Sequence, residues 1–337
     1  MVARGRYVEL ATNRTDVICG GTIGYTDRFL ALSFSEIGEI LPERVFVRYE
    51  WAEAAVDEEG FHVSSGALAR DYGDFILVSA SRLLHEHELA HAVHSQPWPK
   101  GHSVLQEGFA VLFDSDSARP QSTWPSEASL DSLLDGGASS SDDYAKAWFL
   151  VSQIDRDHGM GGLRELWYAV PPDASAEHVR AAYQELFGRS IDALIEPFEE
   201  FEGFPEERLS CHFTVCDEPQ PWDGDVWRAE GPFDCADDPV ALGPMGNSGT
   251  GPVERHSVVE LEPATPYRFI ASGGAGAYLR PCGLQCQPRG TPADIFFPDM
   301  PVTRPDYPDG RYRVEIVVDF EDLPTDTPSS FEIERLD

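Results

Sequence analysis

Apolar and polar residues alternate over Tyr7 to Ala11, take up helical spacing from Ile23 to Leu41, and alternate again from Arg44 to Tyr49. A two-residue period buries one face of a strand, whereas a period near 3.6 buries one stripe of a helix, so this stretch reads strand, helix, strand. Pro42 ends the helix. A third β-like run, Phe75-Ile76-Leu77-Val78-Ser79, leads into HEHELAHAVH, His85 to His94, with Ser79 or Ser81 as candidate N-caps. Helical patterns then cover about Asp143 to His158, Gly162 to Val170, Ala176 to Phe187 and Ile191 to Phe201, separated by Gly, Pro and Asp.

After Gly203-Phe204-Pro205 the texture changes, and Pro, Gly and Cys become frequent. Short alternating runs such as Tyr267-Arg268-Phe269-Ile270, Arg311 to Phe320 and Phe331-Glu332-Ile333 are separated by turns, with Pro308-Asp309-Gly310 before the strongest of them. The fold class expected is α+β. Residues 1–205 read as a mostly helical domain with a small N-terminal sheet, and residues 206–337 as an all-β sandwich.

A chain of 337 residues with 42% hydrophobic content can bury a core in each of two domains. Its 25 basic against 59 acidic residues leave a net charge of -34, which repels nucleic acid and anionic membranes and favours a monomer. No stretch approaches the ~20 apolar residues of a membrane span. Of six cysteines, five lie late, at Cys211, Cys216, Cys235, Cys282 and Cys286, while Cys19 stands near the start. Their spacings fit poorly with paired C-x-x-C thiolate sites, so disulfides are expected, and with them a secreted or periplasmic protein whose signal peptide has been removed. Either Cys19 bridges to the late group or one thiol stays free.

The candidate chemistry lies in the histidine-rich segment, where His87-Glu88-Leu89-Ala90-His91 is an H-E-x-x-H. Residues four apart on a helix sit one turn up the same face, about 6 Å along the axis, so both imidazoles can converge on one cation. Glu88 is turned by about 100° from His87, too far to be a simple third ligand but able to reach a bound water. Zinc lowers the pKa of such a water from near 16 to about 7, and Glu88 as general base takes its proton as the water attacks a carbonyl. His94 lies about 10 Å from His87 along the axis, so the three imidazoles cannot share one ion, and His94 and His85 read as flanking polar residues. The longer metzincin pattern is excluded because His94 and Pro97 stand where it requires glycine and histidine.

A second helical stretch, Val104-Leu105-Gln106-Glu107-Gly108-Phe109-Ala110-Val111-Leu112-Phe113, carries one acid in an apolar run. HELAH followed by QEGFA resembles the gluzincin metallopeptidases, the group containing thermolysin and the zinc aminopeptidases, in which a glutamate on the next helix is the third ligand. The resemblance implies a zincin-like domain holding Zn2+ through His87, His91 and Glu107 and acting on a protein or peptide substrate. Asp143-Tyr144-Ala145-Lys146-Ala147-Trp148 resembles the Y-x-K-G-A/F segment of the zinc aminopeptidases, which implies Tyr144 as the donor to the oxyanion. Phe149 to Gly159 and Phe187 to Asp192 are similar to the helical tail of such domains, so the likeness covers roughly residues 1–205.

The sequence departs from the pattern in several places. Ala147 replaces the glycine, and no G-A-M-E-N segment precedes the motif, so exopeptidase activity is not implied. Val111 occupies the position of the aspartate that orients a ligand histidine in thermolysin-like enzymes. Asp114 and Asp116 are then candidates for that supporting role. His212 and His256 read as structural or exposed, and the late β-domain as an accessory unit for stabilisation, docking or attachment. The function expected is zinc-dependent hydrolysis of peptide bonds by a secreted endopeptidase. The alternative is a non-catalytic secreted binding protein with a peptidase-like metal-binding fold and a β-sandwich interaction domain.

Overall fold

The computed structural model describes residues 2–12, 18–52, 67–114, 130–138, 141–194, 209–231, 235–244, 252–273, 276–288, 294–304, 307–318 and 329–336. Secondary structure in them is mixed, helix and strand together, as the α+β reading expects.

In the N-terminal part, β1 (Val2–Arg4) pairs antiparallel with β2 (Val8–Thr12), α1 (Thr22–Glu36) follows, and β3 (Val47–Trp51) lies parallel to β2. A hairpin of β4 (Ala67–Asp71) and β5 (Ile76–Ala80) completes the sheet, with β5 parallel to β3. The sheet order β1-β2-β3-β5-β4 leaves β4 as an antiparallel edge. In β3, Val47, Tyr49 and Trp51 are buried while Arg48 and Glu50 are exposed, the alternation of a strand with one face on the core. α1 stops at Glu36, short of the expected Leu41. Gly38 adopts φ 69°, a left-handed turn that ends the helix before Pro42 can.

The helices that follow are α2 (Glu86–Ser95), α3 (Ser103–Phe113), α4 (Leu130–Gly136), α5 (Ser141–Ala169) and α6 (Ala176–Phe187). α5 breaks at Gly159, φ 68° and ψ 175°, between the two helices expected there. α6 is capped by the Ser175 side chain at its start and by left-handed Gly188 at its end. From Ile191 only a 3-10 turn to Leu194 lies within the described residues; the rest of the helix expected to Phe201 lies outside them.

The C-terminal part is all β: β6 (Leu209–Thr214), β7 (Val226–Gly231), β8 (Ala241–Leu242), β9 (Val253–Leu261), β10 (Tyr267–Ser272), β11 (Gly276–Pro281), β12 (Gly283–Pro288), β13 (Asp294–Phe296), β14 (Val302–Arg304), β15 (Gly310–Val318) and β16 (Ser329–Arg335). Two antiparallel sheets, ordered β14-β10-β16-β7 and β13-β11-β15-β9-β8, enclose a shared core. Phe269, Phe331 and Ile333 from one sheet meet Leu279, Phe296, Val314 and Ile316 from the other, and the Phe269 and Phe296 ring centroids are 4.9 Å apart. β6 and β12 form a separate ribbon whose register sets Cys211 opposite Cys286.

The boundary expected at 205/206 lies outside the described residues. On either side of it the two parts interlock. Phe213 and Val215 belong to the N-terminal core, while Cys19 belongs to the β core. Cys19 is disulfide-bonded to Cys235, and a second disulfide joins Cys216 to Cys282. Gly20 and Gly21 donate their backbone N–H groups to the carbonyls of Cys235 and Ala241. A Cβ on Gly21 would sit 2.6 Å from the Pro239 carbonyl oxygen, so only glycine lets α1 start this close to the β-domain. Among the described residues no helix is long and apolar enough to cross a membrane.

Candidate metal centre

The helix carrying H-E-x-x-H is aimed by the central sheet. Trp51 Nε1 donates to the Ser81 carbonyl at 3.1 Å and the Tyr49 hydroxyl to the Arg82 carbonyl at 2.7 Å, so β3 holds the segment after β5. That tethering displaces the expected N-cap. Ser79 lies inside β5 and Ser81 is held off the helix, which starts at Glu86 with His85 as its N-cap residue. Leu89, Ala90, Ala92 and Val93 are fully buried and fix the inner face of α2.

His87 and His91 project one turn apart, with ring centroids 4.9 Å apart. Glu107, on α3, meets them both: its Oε2 lies 3.1 Å from His87 Nε2 and 3.4 Å from His91 Nε2. One ligand atom from each residue lies within 4.8 Å of the others, a spacing that could hold a metal ion. Burial would raise the Glu107 carboxyl, but hydrogen bonds from His87 and His91 outweigh it and hold the group well below the usual carboxylate range. Burial disfavours a charged His91, yet Glu107 and Glu88 raise it overall. Two imidazole nitrogens and one carboxylate oxygen suit zinc, a borderline-soft ion that takes N and O donors in small coordination numbers.

Glu88 is 7% exposed and forms no hydrogen bond or ion pair among the described residues. Its charge nevertheless helps to raise both His91 and Tyr144. Tyr144, on α5, comes near because α3 and α5 touch at Gly108. A Cβ there would lie 2.3 Å from the Ala147 carbonyl oxygen and 2.5 Å from Val151 Cγ2. The Tyr144 ring centroid is 5.7 Å from that of His87. Burial, with the carboxylates of Glu107, Glu88 and Asp143, pushes its hydroxyl up to about 12, so it is protonated at neutral pH.

His94 is more than a flanking polar residue. It is 1% exposed, and its Nε2 lies 3.1 Å from His91 Nδ1. For His91 Nε2 to offer a lone pair to a cation, the proton must sit on Nδ1, which then donates to His94. Burial and the His91 charge hold His94 well below the ordinary histidine range, so it is the neutral acceptor this requires. Its other nitrogen lies 3.4 Å from Ser95 Oγ, and its ring packs against Trp167 and Phe109 at 4.8 and 5.5 Å. The supporting role expected of Asp114 or Asp116 is thus filled at His91 by an imidazole. Three-residue spacing from His91 to His94, neighbours on one helix face, was the signal for it.

Asp114 is buried with its carboxylate 3.8 Å from Arg82, and Asp116 lies outside the described residues. His85 sits beside Arg82, with its ring centroid 6.1 Å from that of His87. His256 is buried in the β-domain with its ring edge on Tyr25, a structural position, and the His212 side chain lies outside the described residues.

No family model matches the chain, and no curated protein matches it. Among solved structures, a de novo designed double-stranded beta-helix is similar at 14% identity over 33% of this chain and 97% of its own, with a TM-score of 0.18. FeII HppE is similar at 11% identity over 57% of this chain and 88% of its own, TM-score 0.14. Streptomyces albus HEPD is similar at 13% identity over 73% of this chain and 44% of its own, TM-score 0.11. Scores this low establish no common fold.

Proposed function

We propose that this protein is a zinc-dependent endopeptidase of the gluzincin type, acting in a secreted or periplasmic setting. The observation that carries the reading is the meeting of His87, His91 and Glu107 ligand atoms within 4.8 Å, with Glu88 beside them and free of competing bonds among the described residues. When bound there, zinc supplies a Lewis acid for the scissile carbonyl and acidifies a water.

The protein's own groups do the rest. Glu88 accepts the proton of the attacking water and returns it to the leaving amine. The protonated Tyr144 hydroxyl donates to the charge that develops on the carbonyl oxygen, a contact of a few kcal/mol in comparable sites. Substrate has a natural track. Among the described residues β4 pairs only with β5, and α2 packs against both strands, so an extended peptide can add to the open edge beside the centre. The two disulfides among the described residues favour an oxidising compartment.

The test pairs metal analysis with cleavage of a loosely folded protein such as casein. Wild type is expected to hold one zinc per chain and to cleave. Glu88→Gln is expected to keep the zinc and lose roughly 100- to 10,000-fold in rate, the usual contribution of a general base. Absence of zinc from the wild type would end this reading, and zinc without any hydrolysis would favour the non-catalytic binding protein.

A further inference from the structure

Glu86 immediately precedes His87 at the start of α2 and is 6% exposed. A carboxylate buried this far needs compensating partners. Tyr25 of α1 donates its hydroxyl to Glu86, and Arg313 of β15 donates Nη1 to that same hydroxyl at 2.9 Å. Arg313, itself 2% exposed, also donates Nη1 to the Val215 carbonyl at 3.3 Å, and its Nε and Nη2 to Glu315. The second oxygen of Glu315 accepts from Arg280 Nε of β11 at 2.8 Å. A continuous series, Glu86–Tyr25–Arg313–Glu315–Arg280, therefore runs from the residue before the first ligand into two strands of the β-domain, with the neutral Tyr25 hydroxyl between an acid and alternating basic and acidic groups.

Such a series is a poor source of net stability, because desolvating each ion nearly cancels the attraction between them. Directionality is what it supplies. The planar guanidinium fork and the tyrosine hydroxyl bond only along fixed directions, so they define where Glu86 sits. Side-chain ligand atoms on a helix stand about 5–6 Å from its axis, and a rotation of 10° moves them by about 1 Å. Metal–ligand distances tolerate about 0.2 Å. Alongside the buried Leu89, Ala90, Ala92 and Val93 on the inner face of α2, what holds Glu86 thus helps to set whether His87 and His91 face Glu107.

We infer that Arg313 and Tyr25 are positioning residues of the metal centre: through Glu86 the β-domain sets the rotation of α2 and with it the His87–His91–Glu107 geometry. The accessory domain is then part of the site rather than an appendage. The packing agrees, since α1 is tied to the β-domain by the Cys19–Cys235 disulfide, by Arg28 on Asp217 at 2.9 Å, and by Phe29 against Phe213. This inference rests on the three ligands forming a zinc site.

Zinc affinity, measured on the full chain by competition with a chromophoric chelator, tests it without reference to hydrolysis. Tyr25→Phe removes one oxygen and keeps the ring. We expect it to stay folded and to bind zinc roughly 10-fold more weakly, as other outer contacts of metal sites do. Arg313→Met is expected to weaken binding further and Arg313→Lys to recover part of the loss, with cobalt-substituted spectra shifted in the same order. Wild-type zinc affinity and cobalt spectrum in folded Tyr25→Phe would overturn the inference while leaving the zinc site intact. A wild type that binds no zinc would remove the inference and the proposed function together. If Arg313→Met does not fold, Tyr25→Phe decides.

Discussion

His94 and Asp155 show how one side chain's surroundings set its job. His94 gives His91 a neutral nitrogen acceptor inside an aromatic pocket of Phe109 and Trp167. Phenylalanine at 94 would fill that pocket but leave the His91 Nδ1–H without its acceptor. His94→Phe is therefore expected to keep its thermal stability to within a few degrees and to lose roughly 10- to 100-fold in zinc affinity, measured by chelator competition. An unchanged affinity would mean that His91 needs no partner there. Asp155, on α5, is a different case. Burial and the Glu36 carboxylate push its pKa from 3.8 to about 6. The folded state then binds more proton than the unfolded one between those values, so stability falls as pH rises from 3.8 through about 6. Asp155→Asn is expected to raise stability by about 1 kcal/mol at pH 8, discounted for solvent screening, and to change nothing near pH 3. Melting curves at the two pH values check this, and an equal shift at both would rule the charge out as the cause.

At the scale of elements, the site depends on how closely three helices approach. Apolar periodicity located α2 and α5, and the H-E-x-x-H spacing is a property of one helix, readable before any packing is known. Glu107 is different, because nothing in its own helix says that α3 packs with that residue against α2. Gly108 explains the approach of α3 to α5: the Ala147 carbonyl occupies the space where a side chain would begin. Gly108→Ala must push α5 away or open the pair, at a cost of about 1–3 kcal/mol, the range for overpacking in a dense core. Because α5 carries Tyr144 while the proposed ligands lie on α2 and α3, turnover is expected to fall more than zinc affinity does. Parallel measurement of kcat, zinc affinity and melting temperature separates these effects, and an equally stable, equally active Gly108→Ala would refute the close-packing account. The break in α5 at Gly159 and the cap of α6 at Gly188, by contrast, follow from glycine's own freedom at positive φ, so local sequence was enough.

Over the whole molecule, α1 packs between the N-terminal sheet, the helix carrying His87 and His91, and the β-domain. The Cys19–Cys235 disulfide closes a separation of 216 residues, and bridges of long span restrict the unfolded chain most. Replacing both cysteines with alanine is expected to lower stability by about 2–5 kcal/mol, read from denaturant melts with and without reductant. A variant as stable as wild type would show that the noncovalent contacts of α1 suffice. Taken alone, the sequence determined the α+β class, most of the described helices but only six of the sixteen described strands, the pair His87 and His91 with Glu88 between them, and the expectation of disulfides. These follow from periodicity and composition, which act within a few residues of chain. Only the tertiary structure decided that Cys19 pairs with Cys235, that His94 accepts from His91, that Tyr25 reaches Glu86 across 61 residues and that Arg313 reaches Tyr25 across 288. Arg313 lies in a strand whose alternation sets it on the polar face with Arg311 and Glu315, yet the fold buries it. Its partner is chosen by how β15 packs against α1, and side-chain direction over such distances is set by packing rather than by neighbours in sequence.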